Sequence, residues 1–221
     1  MKETMTALQD QLDEITANTR RLVQAERLAV SERAVRELFN TGIEDKILPV
    51  GAQAPEFTLK DASGRPVRSA DLLALGPLVI KFFRGRWCPY CVTELEAWRE
   101  LHGRLREGGA LLAAISPQTV RQSDFMVGQH MLPFPILSDP GCAVAEKFGL
   151  AYTVPEFYRD YFRSILVNIP FVNGDESWRM TLPATYVISP AGRVALAEAH
   201  ADFRVRPEPE EALAAACALT P

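Results

Sequence analysis

The chain has 221 residues, enough for one well-buried domain with an extension, and its composition is that of an ordinary globular protein. A net charge of −4 without any lysine-arginine stripe excludes nucleic acid and an anionic membrane surface as partners. Four cysteines are too few for a disulfide scaffold at this length, residues 1–20 hold no apolar signal core, and the longest apolar run, residues 110–115, cannot span a bilayer, so the expected location is cytoplasmic.

Residues 3–39 contain neither Gly nor Pro, and Leu8, Leu12, Ile15, Thr19 and Leu22 recur at alternating spacings of four and three. This predicts a helix or a pair of helices, the second capped at Ser31, carrying Ala34, Val35, Leu38 and Phe39, and stopping at Thr41-Gly42. A stripe that narrow suits packing on its own domain or on a second copy in a homodimer. The Pro- and Gly-marked stretch 49–55 is the one boundary in the composition, dividing a helical extension, residues 1–47, from a catalytic domain, residues 48–221.

Phe57 and Leu59 alternate as a strand before a turn over 61–66. Leu78, Val79, Ile80, Phe82 and Phe83 form an apolar run too short for a helix and suited to a buried strand. Beyond Cys91 the period changes: Leu95, Trp98, Leu101, His102 and Leu105 mark an amphipathic helix that ends at Gly108-Gly109. A buried strand over 110–115, a helix over 119–129 and a strand over 134–137 follow, and then Asp139, capping a short helix with Pro140 at its first position. Residues 151–180 are too aromatic for a linker; a helix over 156–166 and a turn at 173–175 are expected there, in an insert that could shape access to the site. Strands over 184–188 and 193–197 read as a hairpin, and 207–219 as a closing helix. The alternation points to an α/β sheet with helices on both faces.

The chemistry is concentrated where the strand turns into the helix, at Arg84-Gly85-Arg86-Trp87-Cys88-Pro89-Tyr90-Cys91. Free N–H groups and the positive dipole end of a helix favour thiolate over thiol, and Cys88 falls at that end. Pro89 suits the first turn, Arg84 and Arg86 add positive charge, and Cys91, one turn further in, is within disulfide reach. A structural zinc site needs four ligands. Beyond this pair the chain offers only lone Cys142 and Cys217 and scattered His102, His130 and His200, so no metal is expected, nor any flavin or nicotinamide.

Val50-Gly51, Ala54-Pro55-Glu56-Phe57, the Trp87-Cys88-Pro89-Tyr90-Cys91 turn, Leu137-Ser138-Asp139-Pro140 and Leu182-Pro183-Ala184-Thr185-Tyr186-Val187-Ile188 together resemble the peroxiredoxin-like branch of the thioredoxin fold, the alkyl hydroperoxide reductase and thiol-specific antioxidant family. The resemblance covers residues 48–218 and implies a thioredoxin-like fold, with Pro183 in a cis bond against the cysteine turn. It also implies a thiol-dependent peroxidase, a peroxide as substrate and a thioredoxin- or glutathione-type reductant.

Two departures stand beside the matches. Laid without a gap on the family's Pro-x-x-x-Thr-x-x-Cys pattern, the turn puts Cys91 at the attacking position, with Cys88 in place of the threonine and Arg84 in place of the proline. The family's arginine falls at Pro183. Two peroxide-polarising groups are therefore missing where expected, leaving Arg84, Arg86 or Arg179 to supply charge, and peroxide reduction is expected to be modest. Helix-end physics instead names Cys88 as the more exposed, more acidic, attacking thiol, with Cys91 resolving, and that assignment is preferred. Trp87, Pro89, Tyr90, Arg84, Arg86 and Pro183 make up the supporting site. A disulfide reductase of thioredoxin or glutaredoxin type, and a redox sensor whose N-terminal helix binds a partner, remain as alternatives.

Overall fold

The structure, a computed structural model, describes residues 7–220; residues 3–6 of the expected first helix lie outside them. Two helices open the chain, α1 (Leu8–Leu22) and α2 (Ala25–Asn40), parted where Val23 turns extended. Ser31 therefore lies within α2 instead of capping it, and its hydroxyl sits 3.3 Å from that of Tyr158. Next come β1 (Thr58–Lys60), β2 (Pro66–Arg68), α3 (Ser69–Leu73), β3 (Leu78–Phe82), α4 (Pro89–Glu107), β4 (Leu111–Ser116), α5 (Val120–His130) and β5 (Ile136–Ser138). The chain continues through α6 (Ala143–Lys147), β6 (Ala151–Thr153), α7 (Glu156–Ser164), α8 (Ile169–Asn173), β7 (Arg179–Thr181), β8 (Ala184–Ile188), β9 (Val194–Ala199) and α9 (Pro209–Cys217). The elements that sequence periodicity does not show, β2, α3, β6, β7 and α8, are too short to display a period.

Seven strands form one sheet in the order β2-β1-β5-β4-β3-β8-β9. Strand β3 runs parallel to β4 and antiparallel to β8, Phe82 pairing with Ile115 on one side and Ala184 on the other. Successive strand side chains point to opposite faces. Val79 thus joins one core with Leu112, Ile136 and Val187, while Leu78, Ile80 and Phe82 join the other with Ala113, Ile115 and Tyr186. Every residue of β3 is buried, as a central strand covered on both faces requires, and Lys81 is buried with them. Asp139 does cap a helix, though one turn later than expected: its carboxylate accepts from the Val144 and Ala145 N–H groups of α6.

The N-terminal extension is built into this domain. Leu8 and Leu12 enter the first core beside Leu95, Trp98 and Leu101 of α4 and Leu213 of α9, and the Glu208 carboxylate accepts from the N–H groups of Leu8 and Gln9 at the start of α1. The first half of the leucine stripe is therefore covered within the chain; Leu22, at its far end, is 76% exposed. The aromatic insert forms a third core, in which Val154, Tyr158, Phe162, Trp178 and Met180 pack against Ala34 of α2. Among the described residues no helix is long and apolar enough to cross a membrane.

Candidate active site

Past Phe82 the chain leaves the sheet through Arg84 and Gly85. Gly85 has φ +145°, and a Cβ there would stand 2.6 Å from Trp87 Nε1, so the turn needs glycine for the indole to fold back over it. Cys88 is the N-cap of α4 and Pro89 its first residue, as the sequence reading places them; Cys88 O accepts from the N–H groups of Cys91 and Val92. Both cysteines are free, and each perturbs the ionisation of the other.

Their environment departs from two expectations. Neither cysteine is exposed, at 1% for Cys88 and 0% for Cys91. Nor is Cys88 the more acidic of the two. Burial, the hydrogen bond to Cys91 and the charge of a Cys91 thiolate hold Cys88 well above the usual cysteine range. Burial pushes Cys91 up as well, but the Cys88 S–H, the charges of Arg206 and Arg84 and the Arg84 backbone N–H outweigh it and bring Cys91 down to about 6. Arg84 and Arg206 draw both sulfurs toward thiolate; the bond between the two, which raises Cys88 and lowers Cys91, separates them, and the Arg206 contact at Cys91 Sγ adds to the difference.

Arg206 lies in the segment between β9 and α9. Its Nη2 is 3.6 Å from Cys91 Sγ, and its Nη1 forms an ion pair with Glu94 Oε2 at 3.4 Å. Glu94 Oε1 in turn accepts from Lys81 Nζ at 2.5 Å, and Lys81 also donates to Thr185 Oγ1 at 2.7 Å. Arg84 is buried, with its guanidinium 4.7 Å from the Trp87 ring and 4.2 Å from that of Phe203; its Nε has no hydrogen-bond partner among the described residues.

Of the other expected residues, Trp87 meets Phe162 edge-on at 5.1 Å, and Tyr90 sits 3.0 Å from the Thr16 hydroxyl of α1. Pro89 is exposed. Pro183 is buried one residue beyond the Phe82–Ala184 pair, where β3 hands over to the cysteine turn, but it follows a trans bond, since there is no cis peptide among the described residues. Arg86 turns away onto α5: its backbone N–H donates to Gln118, its Nε donates to Gln122, and it lies over Phe125. Arg179 pairs with Glu146 at 3.1 Å. Among the arginines considered from sequence, only Arg84 reaches the cysteines; Arg206 was missed because nothing local sets it apart from any loop arginine. Lys81 did leave a signal, a lone charge inside an otherwise apolar strand.

A cleft of about 620 Å³ opens over Cys88. Trp87 and Phe203 line it from the domain, Phe162 from α7, and Val23 and Leu28 from the N-terminal helices. The extension and the aromatic insert together build a wall of the site.

Residues 50–197 match the AhpC/TSA family, a span that takes in the sheet, the cysteine turn and the insert. The chain belongs to the AhpC/TSA family. Within it, the chain is 32% identical over 100 residues to the chloroplastic peroxiredoxin Q of Sedum lineare, covering 45% of this chain and 53% of that protein. It is 28% identical over 114 residues to the thiol-disulfide oxidoreductase ResA of Bacillus anthracis, covering 51% and 65%. The chain thus spans about half the length of the plant relatives it matches. In three dimensions it resembles the peroxidoxin BcpB of Mycobacterium tuberculosis, with a TM-score of 0.62, 24% identity and coverage of 79% and 99%. At that identity the likeness shows the peroxiredoxin fold. The AhpC/TSA match ends before Arg206 and begins after α2, so one arginine of the site and one wall of the cleft lie outside it.

Proposed function

We propose that the protein is a thiol peroxidase that reduces organic hydroperoxides through Cys88 and Cys91, with Cys91 as the attacking thiolate. The observation that supports this most is the pairing of Cys91 with Arg206, Arg84 and the Cys88 S–H, which together hold its sulfur ionised in a buried site. This moves the nucleophile from Cys88, preferred on helix-end grounds, to Cys91, the position named by the ungapped family alignment.

In the first step the Cys91 thiolate attacks the outer oxygen of ROOH; the O–O bond breaks, RO⁻ takes a proton and leaves as ROH, and Cys91 becomes a sulfenic acid. Arg84, buried beside both cysteines with an unpartnered Nε, is placed to stabilise charge on the departing oxygen. Cys88 then attacks the Cys91 sulfenic acid, water leaves, and the pair becomes a disulfide. An external reductant, either one thioredoxin-type dithiol or two glutathione-type thiols, is oxidised to its disulfide and returns both cysteines to the reduced state, and no bound cofactor takes part. A reducing compartment such as the cytoplasm suits this cycle, and it requires no second copy of the chain. The cleft's size and apolar wall suit a bulky organic hydroperoxide.

The test is a pair of variants. Cys91→Ser should abolish peroxide consumption and leave no sulfenic acid to trap, whereas Cys88→Ser should consume one equivalent and stall as a sulfenic acid that dimedone captures. The reverse pattern overturns the assignment, and no consumption by the wild type overturns the function. Repeated turnover with excess reductant separates a catalyst from a sensor.

One observation favours a second reading: of the two cysteines only Cys88 lines the cleft. In thiol–disulfide exchange Cys88 would attack a disulfide held there and Cys91 would resolve. A faster wild-type reaction with a protein disulfide than with any hydroperoxide would select it.

A further inference from the structure

The cysteine pair is backed by a file of buried charges that leads away from the cleft into the sheet. Thr185 on β8, Lys81 on β3, Glu94 on α4 and Arg206 follow one another at 2.7, 2.5 and 3.4 Å, and Arg206 reaches Cys91 at 3.6 Å. The side chains of Lys81, Glu94 and Arg206 are each at most 1% exposed. Buried charge is tolerated only when compensated. Burial lowers the Lys81 pKa, and the Glu94 carboxylate at 2.5 Å opposes that and favours the ammonium. With Lys81 protonated, two cations share one carboxylate, so one positive charge is left over in this file, and the Cys91 thiolate is the group in contact that balances it.

We propose that Lys81, which lies beyond Glu94 from the cysteines, is a positioning residue that sets the ionisation of Cys91. Lys81 occupies Oε1 of Glu94 and leaves Oε2 to Arg206, so Arg206 is not drawn wholly onto the carboxylate and keeps its second nitrogen on Cys91. It also offsets the carboxylate's charge, which would otherwise neutralise Arg206 and disfavour the thiolate. The charged and titratable groups facing Cys91 are Cys88 and Glu94 from its own helix, Arg84 from the turn after β3, Arg206 from the segment before α9 and, behind Glu94, Lys81 itself. Among these, only Lys81 is remote from the reacting sulfur yet alters the charge count.

The account is electrostatic, so charge can be taken away and given back. Lys81→Met keeps the length of the side chain and removes its charge. The Cys91 thiolate, followed by ultraviolet absorbance against pH with Cys91→Ser as blank, should then titrate at least about one pH unit higher than in wild type. Adding Glu94→Gln to that variant removes the uncompensated carboxylate while leaving an amide oxygen for Arg206, restoring the surplus positive charge. The double variant should titrate within about half a unit of wild type. An unchanged midpoint in Lys81→Met overturns the proposal. A double variant that titrates as high as Lys81→Met also overturns it, by showing that Lys81 acts through packing. If Lys81→Met does not fold, the better-compensated double variant must still give the wild-type midpoint, and a raised one rejects the charge account. The measurement reads a thiol and needs no substrate, so it stands or falls apart from the peroxidase reading.

Discussion

Arg206 and Cys91, 115 residues apart in sequence, meet at 3.6 Å between Nη2 and Sγ, both buried. The contact puts a guanidinium on the sulfur although the family's arginine position is occupied by Pro183. It supplies from another part of the chain one of the two groups missing from the family pattern, the positive charge, while Cys88 still stands where the threonine hydroxyl is expected.

Replacing Arg206 with Met should raise the Cys91 midpoint and slow sulfenic acid formation at neutral pH by about tenfold or more. Arg206→Lys should recover part of the loss, since the ammonium retains the charge but not the two-pronged contact. Stopped-flow rates with a hydroperoxide across pH measure both. An unshifted profile would mean that the contact is packing alone.

The pH dependence has a definite sign. The reactive form is the thiolate, and the Cys91 midpoint is brought below the ordinary value to about 6. The rate of the first step should therefore be nearly flat above neutral pH and fall about tenfold for each pH unit below the midpoint. A profile that keeps rising through the ordinary cysteine range, about 8.5, would assign the attack to an unassisted thiol.

Arg84 should behave differently from Arg206. Well above the Cys91 midpoint, where the sulfur is ionised in either protein, Arg84→Met should still lower the plateau rate with peroxide by about tenfold to a hundredfold, because stabilisation of the departing oxygen is lost. If the plateau is kept and only the midpoint moves, Arg84 serves the thiolate and not the peroxide.

Leu12 is completely buried in the first core, whereas Leu22 on the same stripe is 76% exposed. Chemical denaturation should show Leu12→Ala losing about 2–5 kcal/mol and Leu22→Ala less than about 0.5 kcal/mol. Equal small losses would mean that α1 does not depend on this packing.

The cleft wall supplied by α1 and α2 can be tested through selectivity. Leu28→Trp places a larger ring in the apolar side of the cleft. The ratio of kcat/KM for cumene hydroperoxide to that for hydrogen peroxide should drop by about tenfold or more. A constant ratio would place the organic group elsewhere.

Much of the architecture was readable because it is local. A buried strand and the helix after it announce themselves through a change of period at the cysteines, and Cys88 as N-cap with Pro89 next follows from backbone geometry that neighbouring residues dictate. The hairpin at Ala184 to Ile188, the Asp139 cap and the AhpC/TSA resemblance were legible for the same reason. The strand pair β6 and β7 was not, being three residues each and joined across the insert.

The site's electrostatics belong to the tertiary structure. Two cysteines on one turn share the same helix end, so sequence proximity alone cannot rank them, and the helix-end argument chose Cys88. Folding places Arg206 against Cys91 and leaves Arg86 and Arg179 bound elsewhere. It also gathers α1, α2 and the aromatic insert around the cleft at Cys88, so that the surroundings of this sulfur come from parts of the chain far from it in sequence. The sequence by itself determined where the thiols lie and what backbone holds them. What favours ionisation of Cys91 over Cys88 is set only in three dimensions, because charge acts through space and the nearest charges come from the turn after β3, from α4 and from the segment before α9.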